Sequence, residues 1–309
     1  MSVLSISIAI PTYQRGRILL ETLGYLLRQN MTAAEILVVD QTDEHDRDIT
    51  EQLNKLHEEG FIRWLKMDRP SIPKAMNHAL LHATFPVVLF LDDDIIPHEG
   101  LIAGHAANYD VANIWGVAGQ VLQPGQSAVN FEDTASQTAP KIDIAFPFNS
   151  TKRLFIADCM AGNLSVRKGK ALQIGGFDEN FIGVAHKFES DFARRFVAAG
   201  GKIVFDPKAG IRHLRAQGGG TRKYGNHLTS LSPKHGVGDY YFALRQGWSY
   251  KNLLYIIKRP FREVRTKFHL RNPWWIPVKL TGEVLAIMLA FFLWLRGPRY
   301  INNSGSDQK

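Results

Sequence analysis

The chain has 309 residues, 45% of them hydrophobic, with a formal net charge of +8 and a single cysteine. That length accommodates one large α/β domain or two smaller ones around a sizeable core. The lone Cys159, read as a small apolar core residue, excludes a disulfide framework and a cysteine-rich zinc site.

At the amino end no basic stretch precedes the apolar residues, and Pro11-Thr12 follows too early for a cleavable signal, so a cytosolic protein is expected. Residues 5–10 read as a strand, 17–30 as a helix, 36–40 as a strand and 46–59 as a helix. Residues 62–67 are a third strand, 71–83 a helix opened by Ser71 and Pro73, and 87–91 a fourth strand. This alternation predicts an α/β fold with a doubly wound, mostly parallel sheet and helices on both faces.

Further on, 101–109 is a helix and 116–122 a strand ended by Pro124-Gly125. Residues 126–151 form an irregular excursion, which at that length reads as functional or mobile. A strand over 155–160, a helix over 168–174, the turn Gly175-Gly176, a helix over 191–199 stopped by Gly200-Gly201 and a short strand over 202–205 complete this part. The expected division is a main domain over 1–220, a basic and aromatic helical region over 221–300 and a disordered polar tail over 301–309.

The excess charge lies late. Between Arg245 and Arg299 eleven lysines and arginines face only Glu263 and Glu283, interleaved with Trp248, Tyr255, Phe261, Phe268, Trp274 and Trp275. No helix-turn-helix, zinc-finger or RNA-binding signature accompanies them, so peripheral contact with an anionic membrane surface is expected and nucleic acid is not. The apolar run 284–295 has 12 residues, short of the roughly 18 to 20 that span a bilayer. An in-plane helix is the first reading; a buried core helix or dimer contact, and a tilted span that includes Lys279 and Glu283, stay open.

Directly behind Phe85-Pro86-Val87-Val88-Leu89-Phe90-Leu91 stand three carboxylates, Asp92, Asp93 and Asp94. Adjacent anions at the mouth of a sheet cost stability unless a cation or hydrogen bonds offset them. In open α/β sheets ligands bind at the carboxyl ends of strands, and Mg2+ or Mn2+ takes carboxylate oxygens together with those of a diphosphate. The acids therefore point to a nucleoside diphosphate site with a divalent metal, against the alternative of an acidic loop facing water. Alternation puts Asp92 and Asp94 on one side and turns Asp93 away.

Ile8-Ala9-Ile10-Pro11-Thr12-Tyr13-Gln14-Arg15, Ile36-Leu37-Val38-Val39-Asp40 and Leu91-Asp92-Asp93-Asp94, in that order and spacing, resemble the nucleotide-binding half of family 2 glycosyltransferases with the GT-A fold. Ala161-Gly162-Asn163-Leu164-Ser165-Val166-Arg167 and Ile174-Gly175-Gly176-Phe177-Asp178-Glu179 extend the resemblance, which covers about residues 5 to 215. It implies a GT-A-like domain with a nucleotide-binding half over 1–125 and an acceptor half over 126–220; the helical, membrane-associated extension behind it is expected from the late bases and aromatics.

The resemblance also assigns roles. Pro11, Thr12 and Arg15 would hold the nucleotide, Asp40 a base N–H or a ribose hydroxyl, and Lys74 and Asn77 the diphosphate. Asp94 would touch the metal, Asp92 the metal or the ribose, and Asp93 is the weakest of the three. His213, after the last core strand, would complete the metal site and tilts the choice between Mn2+ and Mg2+ toward manganese. Gly162 and Asn163 would form the floor beneath the donor sugar. At the start of a late helix the family's usual catalytic Asp is replaced by Glu189, so the base is Glu189, with Asp191 the other candidate and Arg195 one turn from it.

The activity implied is inverting transfer of one sugar from a nucleotide-diphosphate sugar to a glycan or lipid-linked acceptor. A peripheral place at the inner face of the plasma membrane goes with it. Gln217-Gly218-Gly219-Gly220-Thr221-Arg222 reads as a loop that closes over the diphosphate. No Gln-x-x-Arg-Trp segment of the processive synthases is present, which favours single transfers. A nucleotidyltransferase is an alternative, but Arg15 and Arg17 stand without the Gly-rich phosphate loop it needs; a non-catalytic nucleotide-sugar binding module is another.

Overall fold

A computed structural model describes residues 4–31, 33–130 and 146–301. The middle of the 126–151 excursion and all of the expected tail except Ile301 lie outside those residues. The chain begins with β1 (Ile6–Thr12), α1 (Gly16–Leu27), β2 (Glu35–Asp40), α2 (Arg47–Glu58), β3 (Arg63–Lys66), α3 (Ile72–His82) and β4 (Val87–Leu91). These strands are parallel in the order β3-β2-β1-β4, with Ile8 level with both Ile36 and Leu89. β1 and β4 are buried along almost their whole length, as the apolar runs of a sheet covered on both faces must be.

After β4 come β5 (Ile95–Pro97), α4 (Leu101–Ala106), β6 (Ile114–Leu122), β7 (Leu154–Ile156), β8 (Asn163–Arg167), α5 (Lys168–Gln173), α6 (Phe188–Ala198) and β9 (Lys202–His213). The nine-stranded sheet continues β4-β8-β6-β9-β5, with β7 on β9. Here the expected parallel order gives way: β6 and β9 are parallel, but β8 runs antiparallel to β4 and β6, and β5 and β7 antiparallel to β9.

β8 had no place in the sequence reading because it carries polar side chains inward. Asn163 and Ser165 are fully buried, and His105 from α4 joins them, with Nε2 2.9 Å from Asn163 Oδ1 and Nδ1 2.8 Å from Ser165 Oγ. Burial pushes that imidazole down to about 4, so it is neutral and can bridge a donor and an acceptor.

Three boundaries shift with consequences for the site. α6 starts at Phe188 rather than 191, which places Glu189 in its first turn. β9 runs to His213 rather than stopping at Phe205, because residues 207–210 bulge out and pairing resumes at Ile211 opposite Val121. The apolar run at 284–295 is the second half of a 21-residue helix, α10 (Trp275–Leu295), preceded by α7 (Val237–Arg245), α8 (Tyr250–Val264) and α9 (Lys267–Arg271).

The late helices close on a buried charge network. Arg259 of α8 pairs with Asp239 of α7 (3.0 Å) and with Glu283 of α10, and Glu283 also takes Lys279 Nζ (2.8 Å) and Tyr240 O–H (2.6 Å). Beyond α10 the chain returns to residues 175–180: Asn180 Nδ2 donates to Gly297 O (2.7 Å), Arg299 N to Asp178 Oδ1 (2.9 Å) and Ile301 N to Gly175 O (2.9 Å). Gly175 and Gly176 accept this strap in left-handed conformations (φ 82° and 68°), where a Cβ would strike Tyr300 and Ile301. Removing one acid from a buried ion network leaves its cations uncompensated. Glu283→Ala is therefore expected to lower unfolding stability by about 3–5 kcal/mol, measured from the denaturant midpoint.

Candidate active site

The three acids leave β4 between β1 and β8, and each meets a different partner. Asp93 accepts from Thr12 Oγ1 (2.7 Å) and Arg15 Nη1 (2.8 Å). The same Arg15 nitrogen stands 3.1 Å from Asp94 Oδ1, while Arg15 Nε donates to Gly218 O (2.9 Å) in the glycine loop. Arg15 thus braces the acids and draws the loop over β1; Gly220 N bonds Tyr13 O (2.9 Å) in the same contact.

Asp94 is fully buried and accepts Ala216 N on Oδ2 (2.8 Å), yet its Oδ1 has no hydrogen-bond partner. His213 at the end of β9 presents Nε2 3.1 Å from that oxygen and 3.6 Å from Asp92 Oδ2. Its Nδ1 lies 2.9 Å from Gln123 Oε1, which can only accept. That bond assigns the ring proton to Nδ1 and aims the Nε2 lone pair at the two carboxylates. Lone pairs converging in this way repel until a proton or a cation sits among them.

The ligand atoms of Asp92, Asp94 and His213 all lie within 4.8 Å of one another. Two hard carboxylate oxygens, one without a hydrogen bond, and an imidazole nitrogen fit a divalent cation of the Mn2+ or Mg2+ class. Burial, with Asp94 and Asp93 adding to it and His213 opposing it, pushes Asp92 up to about 6. For His213 burial works downward, but Asp94 and Asp92 outweigh it and raise the imidazole.

A cavity of ≈ 360 Å³ opens over these residues, lined by Pro11, Thr12, Arg15, Asp92, Asp93 and His213. Sequence reasoning missed Tyr13, Gln41, Arg215, Lys223 and Tyr224 in its wall, and saw Ser71 only as a helix opener. Ser71 Oγ is buried without a partner there, and Lys223 Nζ lies 4.2 Å from the Tyr13 ring centroid.

Several expected site residues belong to the framework instead. Asp40 is fully buried and accepts from Thr42 N (2.9 Å), His45 Nε2 (2.7 Å), Trp64 Nε1 (2.9 Å) and Lys66 Nζ (3.2 Å), so it ties β2 to β3. Asn77 is buried and clamps Phe177, accepting from its N (2.8 Å) and donating to its O (2.9 Å). Lys74 lines a separate hollow with Glu179 and Tyr300, away from the acids. Asn163 spends its amide on His105, Gln120 O (3.1 Å) and Ala209 O (2.8 Å), below the cavity floor. Asp191 is buried against Arg195 Nε (2.7 Å), whose other nitrogens hold Ile174 O (3.0 Å) and Gly176 O (2.8 Å).

Of the two residues expected beneath a sugar, Gly162 packs against Asp92, next to Ala161 in the cavity wall. A Cβ on Gly162 would sit 2.1 Å from Asp92 Oδ2, so only glycine lets that carboxylate lie flat, and Ala161 N donates to Glu189 Oε1 (3.2 Å). Behind Glu189, Asp158 accepts from Ser190 Oγ (2.9 Å) and Cys159 N (2.9 Å), stitching this stretch along the first turn of α6. Burial, then the charges of Asp158 and Asp92 against the Ala161 N–H, pushes Glu189 up to about 7. Cys159 itself is buried, and burial pushes its thiol up, as a core residue requires.

Residues 7–166 match the family model described as glycosyl transferase family 2, more than half of the 309 residues, and the chain belongs to that family. Its fold is similar to that of GalNAc-T7 solved with UDP, GalNAc and Mn2+ (TM-score 0.57, 13% identity, 81% of this chain and 52% of that one). It is also similar to the mannosyltransferase PcManGT from Pyrobaculum calidifontis in complex with GDP-Man and Mn2+ (0.54, 18%, 94% and 79%). A third likeness is to TarS of S. aureus (0.54, 15%, 78% and 39%). The chain thus spans about half of the GalNAc-T7 chain and less of TarS. No curated protein matches it in sequence. The fold is GT-A, and the family is that of the glycosyl transferases rather than the nucleotidyltransferases of the alternative reading.

Groups that orient a metal-ligating histidine through its other nitrogen typically govern affinity by 10- to 100-fold. Gln123→Ala is expected to weaken Mn2+ binding by about that factor, read by titration calorimetry, with little change in thermal stability.

Proposed function

We propose that this glycosyltransferase moves one hexose, with inversion, from a nucleotide-diphosphate sugar to a hydroxyl of a glycan or lipid-linked glycan, at the cytosolic face of a membrane. The observation that supports it best is the pair Ala161 and Gly162, with Asp92 of the Asp92–Asp94–His213 cluster against Gly162 and Glu189 held by Ala161 N–H. A cation for the leaving group and a base brought to adjacent residues suit a single displacement within one small site.

Asp92, Asp94 and His213 would hold a divalent cation, manganese or magnesium, whose charge offsets that of the departing nucleoside diphosphate. Arg215 and Lys223, both in the cavity wall, take over the contact first assigned to Lys74. Ser71 Oγ, buried and without a partner, offers its hydroxyl to the nucleoside beside Pro11 and Tyr13. Asp40 contributes from behind, by fixing the ends of β2 and β3.

Glu189 removes the proton from the acceptor hydroxyl as that oxygen bonds to the anomeric carbon and the bond from that carbon to the diphosphate oxygen breaks. Asp191 has no such role, since Arg195 occupies it within the fold.

Glu189→Gln should leave nucleotide-sugar affinity intact while turnover falls about 10²- to 10⁴-fold; near-normal turnover would refute the assignment. Because Glu189 acts as a base only when ionised, kcat/KM should rise as pH passes through about 7 and level off above it. Asp158→Asn removes a neighbouring negative charge and should move that midpoint to lower pH. A panel of nucleotide sugars, followed by release of free nucleoside diphosphate, tests the activity itself: donor binding without any turnover would leave a binding module.

A further inference from the structure

We propose that α8 and α10 together seat the enzyme in the plane of an anionic lipid bilayer, and that neither helix crosses it. This contact extends the reading of the chain as an enzyme that works at a membrane surface, on which it rests; the sugar chemistry does not depend on it.

α8 and α10 lie antiparallel in one register. Trp248 ahead of α8 meets Trp294 near the end of α10 (ring centroids 5.7 Å apart), Arg259 meets Glu283, and Glu263 lies 3.9 Å from Lys279. Each step forward along one helix is a step back along the other.

By length and composition α10 could cross a membrane. Its attachments say otherwise. A 21-residue helix is about 31 Å long, close to the thickness of the hydrocarbon core. Crossing would put its ends on opposite sides of the bilayer, yet both ends are tied to one catalytic domain. Near its start Lys279 and Glu283 are locked to Arg259 and Tyr240, and the next residue of α7, Tyr241, donates to Asp178 Oδ2 (2.8 Å). Just past its end Gly297 and Arg299 bond residues 178–180.

The inner face of α10 is small and polar at three- and four-residue spacing: Lys279, Gly282, Glu283, Ala286, Ala290 and Leu293. Its outer face exposes Val284, Leu285, Met288, Phe291, Phe292 and Leu295, with Met288 64% and Leu295 63% accessible. At the same levels α8 exposes Leu253, Ile257 and Phe261. Beside that stripe Lys251, Lys258, Arg262 and Arg265 ring a groove floored by Leu254 and Tyr255. The two acids between residues 245 and 299, Glu263 and Glu283, are both engaged by Arg259 and Lys279, so neither is left to pair with Lys251, Lys258 or Arg265.

Continuous apolar surface flanked by cations of one sign matches headgroup phosphates over acyl chains. A second copy across a twofold interface would instead set like-charged stripes together.

The test is flotation of the full-length protein with vesicles of phosphatidylcholine alone or mixed with phosphatidylglycerol. Binding is expected only to the anionic vesicles, and should fall in high salt. The variant Lys251→Gln/Lys258→Gln/Arg265→Gln should bind up to about a hundredfold more weakly, at about 1 kcal/mol per charge. Leu285→Ser/Phe292→Ser should also lose binding, with release of wild-type protein by an alkaline carbonate wash. Unchanged Mn2+ and nucleoside diphosphate affinity shows that each variant is folded. Equal binding to both vesicles, retention after the wash, or a dimer in solution that the Leu285→Ser/Phe292→Ser change dissociates would overturn the proposal. Donor hydrolysis without vesicles reports on the sugar chemistry separately.

Discussion

Negative charge concentrated at the carboxyl end of β4 is the constraint to which the rest of the site answers. Each acid is relieved differently: Asp93 by Thr12 and Arg15, Asp94 by Ala216 N–H with Arg15 and His213 close by, Asp92 by little except its opening to the cavity. These partners come from β1, from the end of β9 and from the loop that follows it. A local repulsion in the sequence thus fixes where three distant segments must converge. What it leaves without a hydrogen bond, Asp94 Oδ1, lies with the nearby Asp92 carboxylate where the proposed cation would sit.

Around that centre the polar residues divide by how fully they are satisfied. Asp40, Asn77, Asn163 and Asp191 are all buried and hydrogen-bonded within the fold, and each joins elements far apart in sequence. A buried polar group with all its partners made is worth most as a fixed joint. Glu189 and Asp92 are the contrast. Both are carboxylates raised by burial and by neighbouring acids; Asp92 lines the cavity, and Glu189 accepts from Ala161 N in its wall. Groups held away from their ordinary ionisation are the ones available to exchange a proton or accept a cation.

The parallel half of the sheet was legible because β1, β2 and β4 are continuous apolar runs, and the acids behind β4 announced themselves by adjacency. The metal triad was legible too, although His213 needed the family's order of motifs to bring it to Asp92 and Asp94 across the sheet. What stayed hidden was mostly polar and long-range. β8 does not read as an element because Asn163 and Ser165 look solvated until His105 is placed against them. Lys74 and Asn77 do share one side of a helix, as their spacing says, but that side faces a hollow beside Glu179 and Tyr300 rather than the acids. Arg215 and Lys223 enter the cavity only because the loop after β9 folds back over Tyr13, a contact held by Gly218 O and Gly220 N.

The strap over residues 297–301 bears on how this enzyme can be handled. Tyr300 lies on Arg195 (4.5 Å to the ring centroid) and accepts from Arg245, while Ile301 covers Gly176, so residues 300 and 301 complete the packing beside α6. Trimming the apolar end to obtain a more soluble catalytic fragment would strip that cover away. Solubilising surface substitutions on the outer side of α10 keep the whole chain and leave the anchor near Glu189 in place.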